Sequence, residues 1–551
     1  MLRRPTPKNS PKTDLSITFD VLWKTHNESA VELLLHALDS PLKPIRDGAL
    51  ESLLKRRTTL GNQEIINRLA TLDAGAREIV GEYHRYLGRG LRDSIQSADP
   101  KVFATGCAAT LEFHDYDMLP TLVHTAEDET HPHRDLAAQH VLKLAELLYD
   151  ELATGQSTSA GRDPPLMRKH MLHSLEQSLA RLPQHKRPEI VEALLLLAPR
   201  EYPALQKILA DPMHVAYLSV IDLLTHSTRG GVIRLVLSFL DDPQAPSTVI
   251  KLFGRRSDKL FLEHFLRKIG SQPSSVMTQN LHKIETICWM QDHVRLVDQL
   301  EEAVQGGSVQ LALTSNISRH TKFKLIEHLV RFGKPAGRRA AALALASFQG
   351  AEANQLAQEA LQDPDPQVQA HVLVQIRSRG ITGALPLLLS MLDSQYECIR
   401  NAARRSLEEF SFDRFFAAFD SLDDHVRRTT GPTVRKVDLT VPKRLQEELD
   451  ARSRTRRIRA VAMASSMGLV PQFETQIIQR LTDEDHLVRA EAAKALAQCP
   501  TDHARRALLA ARHDRSIVVQ EGAAQSLQHW GFDSMVEDLL AADAVAAKEK
   551  L

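Results

Sequence analysis

Apolar residues in this chain recur at helical spacing inside a unit that itself repeats. Between Asp483 and Leu496 the apolar or small residues Val488, Ala492 and Leu496 stand four apart; between Asp514 and Leu527 the same places hold Val519, Ala523 and Leu527. Positions at 0, +4 and +8 share one face of a helix, and a small residue at +4 lets a neighbouring helix come close. A turn rich in Asp, Ser or Pro precedes each copy, as at Asp363 to Pro366, and supplies an N-cap. Taking the first apolar place as a marker, the register runs 337, 368, 399, 426, 458, 488 and 519. Weaker copies stand at 45, 76, 103, 133 and 167; Val215 with Leu223, then Val276 and Val309, keep the beat through the worn middle.

A period near 31 residues allows about seventeen units, each predicted as two helices. The second helix is shorter and Leu-rich, as in Ala384 to Leu392, and Gly350, Gly380, Gly468 and Gly531 stand where a pair should end. No stretch alternates with period two, so no sheet is expected, even over 180–330 where the repeat is faintest. Gly337 occupies a marker place. Gly431 and Pro432 fall inside the helix after Val426 and predict a kinked or broken unit there.

This frame resembles the HEAT repeat family, specifically the short bacterial HEAT-like type also seen in phycobilisome-lyase-type proteins, most strongly over 330–531. The resemblance implies an all-α chain, an α-α superhelix of stacked antiparallel helix pairs, in which neighbours bury the apolar face that one pair cannot bury alone. The predicted organisation is a polar tail over 1–15, HEAT-like repeats over 16–150 and a flexible insertion over 151–165. Degenerate helical repeats follow over 166–330, HEAT-like repeats over 331–535, and a C-terminal helix or tail over 536–551.

Composition narrows the chemistry. Across 551 residues, 69 Lys+Arg balance 69 Asp+Glu, so no whole-chain charge argues for nucleic acid or an anionic membrane. Aromatics are 5%. Cys107, Cys288, Cys398 and Cys499 are scattered, which suits buried small side chains better than a disulfide framework or a thiolate metal site. The polar, Pro-containing N-terminus has no apolar run behind it, and the longest apolar stretch, Ile190 to Ala198, is far short of a membrane span. A cytoplasmic protein is expected.

Arg recurs one place after the marker, at Arg46, Arg77, Arg134, Arg168, Arg338, Arg400, Arg427, Arg459 and Arg489. A ladder of arginines paired with turn carboxylates such as Asp363, Asp365, Asp483 and Asp485 explains this structurally; a basic rim would explain it functionally. The densest basic stretch adds Arg428, Arg435, Lys436, Lys443 and Arg444 to Arg452, Arg454, Arg456, Arg457 and Arg459. It is a solvated face or a docking site, and its candidate partner-binding residues are Arg427, Arg428, Arg452, Arg454, Arg456 and Arg457. Arg452, Arg454, Arg456 and Arg457 are expected to reach solvent, with Arg459 paired to a carboxylate. No aromatic lies between 420 and 472, which removes stacking platforms for single-stranded nucleic acid there.

His131, His133 and His140 hint at a metal cluster, but 133 is itself a marker place. The iron-dependent deoxyhypusine hydroxylases of the HEAT class use His-Glu dipeptides, and this chain has none. HEAT-like DNA glycosylases are strongly basic, unlike this neutral chain, whose Trp23, Trp289 and Trp530 are far apart. No catalytic residue, metal or cofactor is therefore assigned. The sequence points to a non-enzymatic HEAT-repeat scaffold or adaptor for protein partners. Nucleic-acid or anion binding through 427–459 is the alternative, and an enzyme of HEAT-like lyase or glycosylase type comes last.

Overall fold

In the computed structural model, which describes residues 14–155 and 163–532, the chain forms 34 α-helices and eight short 3-10 helices. Among the described residues there is no strand, and no helix is long and apolar enough to cross a membrane. Residues 1–13 of the expected tail, 156–162 of the expected insertion and the helix or tail expected at 536–551 lie outside the described residues. Two units, up to Leu325 and from Ile326, each have their own packing.

In the second unit one series of helices stacks in chain order: Pro335–Ala344, Pro366–Leu373, Glu397–Ser406, Asp424–Val437, Arg454–Ser466, His486–Ala495 and Ile517–His529. Their starts are 31, 31, 27, 30, 32 and 31 residues apart. A second helix precedes and packs on each later member, for example Ala384–Met391 on Glu397–Ser406 and Asp502–Ala511 on Ile517–His529. Asp365, Asp423 and Asp485 cap their helices by accepting from backbone N–H groups at 2.8–2.9 Å. Gly380, Gly468 and Gly531 follow the marked helix at φ +66° to +79°, a left-handed conformation that glycine adopts without penalty.

The first unit keeps the same plan through its faint middle. Pro188–Leu197, Tyr217–His226 and Ser247–Arg255 pack in sequence, as do Gly230–Ser238, Lys259–Ile269 and Glu302–Thr314. The register there is shifted, however. Val215 is half exposed and lies before its helix, while Val220 and Leu224 carry the buried face. Tertiary packing chose a helix start that the local pattern blurred.

Two further expectations change. The helix Asp424–Val437 runs through Gly431 and Pro432 unbroken. At the next unit the small residue in the core is Ala460, fully buried, and not Ala462, which is only half-buried at its margin. Elsewhere the small places are closed: Ala49, Ala137, Ala403, Ala492 and Ala523 are all wholly buried. Ala523→Leu should overpack the contact between His486–Ala495 and Ile517–His529 and cost roughly 1–3 kcal/mol. Hydrogen exchange should show the helices beyond 486 fraying while those of 45–133 keep their protection, since each repeat contacts only its neighbours. Uniform loss along the chain would contradict the stacking.

Candidate functional site

The arginine register resolves into a repeated seat at the start of the stacked helices. The turn before each helix has carbonyl groups with no donor of its own, and a side chain from the first helical turn folds back to them. Arg489 Nη1 donates to the carbonyls of Asp483 and Glu484 at 2.8 and 3.2 Å, and Arg400 to those of Ser394 and Gln395 at 2.8 and 3.0 Å. Arg46 does the same to Ser40 and Pro41 at 2.9 and 3.1 Å. The rest of the fork then reaches forward to the next turn: Arg489 to Asp514 and Arg338 to Asp363, both at 2.8 Å. One planar group thus closes its own turn and ties it to the next repeat.

At the basic segment the seat is held by Arg457, not Arg459. Arg457 Nη1 donates to the carbonyls of Ala451 and Arg452 at 3.0 and 2.8 Å, and Nη2 to Asp483 at 2.9 Å. Its side chain is 7% exposed, and that of Asp483 is 4% exposed. The expectation that Arg457 reaches solvent is therefore overturned: it is a closed structural pair. Ile458 followed by Arg459 imitates the marker, but the helix begins at Arg454 and puts residue 457 over the turn. Arg459 instead reaches back to Asp420 and lies over the Phe416 ring. In two repeats a glutamine fills the seat, Gln369 donating to Asp363 O at 2.7 Å and Gln520 to Asp514 O at 2.6 Å. The sequence pattern missed both because it followed charge, whereas the seat requires only a donor of that reach.

The remaining candidates divide in two. Arg427 is held by the Phe419 carbonyl at 2.8 Å and Asp424 at 3.1 Å, over the Phe419 ring. Arg454 is exposed and pairs with Asp485 at 3.2 Å; Arg456 is exposed and pairs with Glu448. Arg428 and Arg452 are exposed, on the helix Asp424–Val437 and in the turn before Arg454. Lys436 pairs with Asp393 at 2.6 Å, and Arg444 pairs with Asp413 while covering the Phe412 ring. The aromatic helix Phe412–Ala418 and its following turn thus pack three arginines of the segment by cation–π contact. The four turn carboxylates singled out in the sequence, Asp363, Asp365, Asp483 and Asp485, pair with Arg338, Arg339, Arg457 and Arg454 of the preceding repeat. Hydrogen bonding from Arg489 holds the Asp514 carboxyl below its ordinary range, and a backbone N–H does the same for Asp485.

Not every arginine in the register fits. Arg134 donates to His185 O at 3.1 Å and Arg168 to Leu197 O at 2.6 Å, neither with a carboxylate partner. His131, His133 and His140 group around Phe103, and one ring nitrogen of each meets a backbone carbonyl, that of His133 at 3.0 Å from Ala98 O, while His131 Nδ1 accepts from the His133 N–H. Among the described residues no group of three His, Cys, Asp or Glu side chains is placed to hold a metal. All four cysteines are free, and burial pushes the Cys107 thiol up to about 12.

A family model for HEAT repeats matches residues 324–408. No curated protein matches. Among solved structures, a crystal structure of Kap121p is 12% identical over 93% of this chain and 56% of its own, with a TM-score of 0.29. The chain thus spans little more than half of that protein. An engineered protein from a structural genomics consortium is 14% identical over 92% of this chain and 99% of its own, at a TM-score of 0.18. The match at 324–408 covers the seats at Arg338, Gln369 and Arg400, the same seat returns at Arg457, Arg489 and Gln520, and the chain is a helical repeat protein that carries HEAT repeats.

Proposed function

We propose that this chain is a non-enzymatic scaffold that binds a protein partner, with Arg428, Arg452, Arg454 and Arg456 as docking charges. Arg427 and Arg457 hold the repeats behind them. The observation that carries this reading is the mixed sign of the segment's surface. Beside the exposed Arg428, Arg452, Arg454 and Arg456, the half-exposed Arg427, Lys436 and Arg444 pair with the exposed carboxylates Asp424, Asp393 and Asp413, an alternation suited to a charged rim that steers a partner. Continuous phosphate binding asks for an uninterrupted positive track instead. The second reading, an anion or nucleic-acid site, draws on Arg428 and Arg452, which are exposed and, among the described residues, have no carboxylate within pairing distance. Four free thiols, none in a disulfide, suit a reducing compartment, and a cytoplasmic place is part of the proposal.

The test is crosslinked capture with the full chain beside a variant carrying Arg428→Ser, Arg452→Ser, Arg454→Ser and Arg456→Ser. A partner protein should be recovered less by the variant and less at high salt, with melting temperature little changed, because exposed pairs contribute at most about 1 kcal/mol each. Recovery that vanishes on nuclease treatment would transfer the site to nucleic acid. Recovery indifferent to both salt and substitution would remove the segment from the docking surface.

A further inference from the structure

Arg168 is one of two register arginines, with Arg134, that the ladder does not explain, and its surroundings differ from every seat described above. Four elements of the first unit meet there. The helix Arg134–Thr154 supplies Tyr149, Pro164–Leu179 supplies Arg168, the turn after Pro188–Leu197 supplies Arg200, and Gly230–Ser238 supplies Arg234. Together they line a cleft of about 220 Å³. That is smaller than a site for a drug-sized ligand and suited to a small charged group.

Three guanidinium groups line this cleft with one carboxylate, Glu201, and that carboxylate is already engaged by Arg200 at 2.6 Å. Arg200 also donates to Ser238 O at 2.7 Å, which fixes it at the cleft edge. Arg168 spends its Nε on Leu197 O, and among the described residues its two terminal nitrogens have no partner; Arg234 is exposed beside the Tyr149 ring, 5.7 Å from its centroid. Among the described residues neither has a carboxylate within pairing distance. Burial lowers the Arg168 pKa, and the like charge of Arg234 adds to it, so the two cations share the cleft at a cost. A ladder arginine shows the opposite: Arg489, over its carboxylate, is raised.

We propose that this cleft binds a phosphate monoester. Charge selects the class, since Arg168 and Arg234 leave two positive charges uncompensated and a phosphate monoester carries about −1.5 to −2 near pH 7. Geometry agrees, because planar guanidinium forks receive phosphate oxygens in pairs. Leu152, Leu196 and Leu235 with the Tyr149 ring form an apolar wall for the ester's organic part. The same chemistry could arrive on a small molecule or on a phosphorylated side chain. The site lies in the first unit, apart from the basic segment at 427–459, so this inference stands or falls independently of the scaffold reading.

Calorimetric titration of the full chain tests it with phenyl phosphate, a phosphotyrosine peptide and benzoate. Phenyl phosphate should bind saturably and benzoate, a monoanion, at least about tenfold more weakly. Arg168→Gln and Arg234→Gln should each weaken phenyl phosphate by about tenfold or more, the loss expected when one charged hydrogen-bond donor goes. Arg234 is exposed, so its variant should fold even if that of Arg168 does not, and without ligand its melting point should hold or rise as the like-charge contact disappears. Tighter binding of the peptide identifies a protein-borne phosphate, and equal or weaker binding a small molecule. No saturable binding of either phosphate, benzoate binding as tightly as phenyl phosphate, or undiminished binding by the Arg234 variant would overturn the proposal.

Discussion

Asp483→Ala should destabilise the stack around residues 454–495 by about 3–5 kcal/mol, the loss expected when one partner of a buried ion pair is removed. Its carboxylate accepts from Arg457 Nη2 at 2.9 Å and from the Asp485 N–H at 3.0 Å. Alanine would leave the Arg457 guanidinium buried on two neutral carbonyls, with only the outlying Glu484 at 3.3 Å for a counter-charge. Arg454→Ser, which breaks the exposed pair with Asp485, should cost no more than about 1 kcal/mol, so burial rather than the number of salt bridges decides the ranking. Exchanging Arg457 and Asp483 together for Met and Leu should return a large part of the loss, since an apolar pair carries no stranded charge. Hydrogen exchange over Arg454–Ser466 and His486–Ala495 measures it. A loss under 1 kcal/mol for Asp483→Ala would show that the ladder does not couple repeats.

How far the molecule could be read from its residues follows from the range of each interaction. The helix pairs and their 31-residue beat were legible because capping, amphipathic spacing and small +4 residues act within one turn or one pair. Of the turn carboxylates at 363, 365, 483 and 485, only Asp363 meets a register arginine, Arg338; the others pair with Arg339, Arg457 and Arg454, which the one-residue register did not single out. The seat itself was not legible, since it depends on which helical residue overlies two carbonyls. A shift of two residues exchanged Arg459 for the closed Arg457, and a neutral amide did the same work at Gln369 and Gln520. The cleft at Arg168 was less legible still. It needs four elements drawn from 149–238 to converge, and in the sequence its arginine looks like one more rung.

Gly431→Val should be the most damaging single change in the helix Asp424–Val437, at about 3 kcal/mol, the top of the range for overpacking. Sequence alone puts a break here, because glycine followed by proline so often stops a helix. The structure gives glycine another role. A Cβ at residue 431 would stand 2.5 Å from the Ser466 carbonyl oxygen and 2.8 Å from its carbon, so the obstacle is backbone and no rotamer relieves it. Gly431 is therefore the contact that lets this helix lie against the end of Arg454–Ser466. Gly75 makes the comparison: a Cβ there crowds the far end of the flexible Lys43 side chain and lies at an ordinary 3.5 Å from Asp73 Oδ1, and Gly75→Ala should be neutral or gain up to about 1 kcal/mol in helix propensity. Pro432 separates the two explanations further, because it lacks the N–H that would bond back toward Arg428. If the pair were a functional break, Pro432→Ala would change the unit as much as Gly431→Val. If close approach is the reason for the glycine, Pro432→Ala leaves stability equal or higher and only Gly431→Val parts the helices. Thermal melts with exchange protection over 454–466 decide between them, and equal losses for both variants would restore the break.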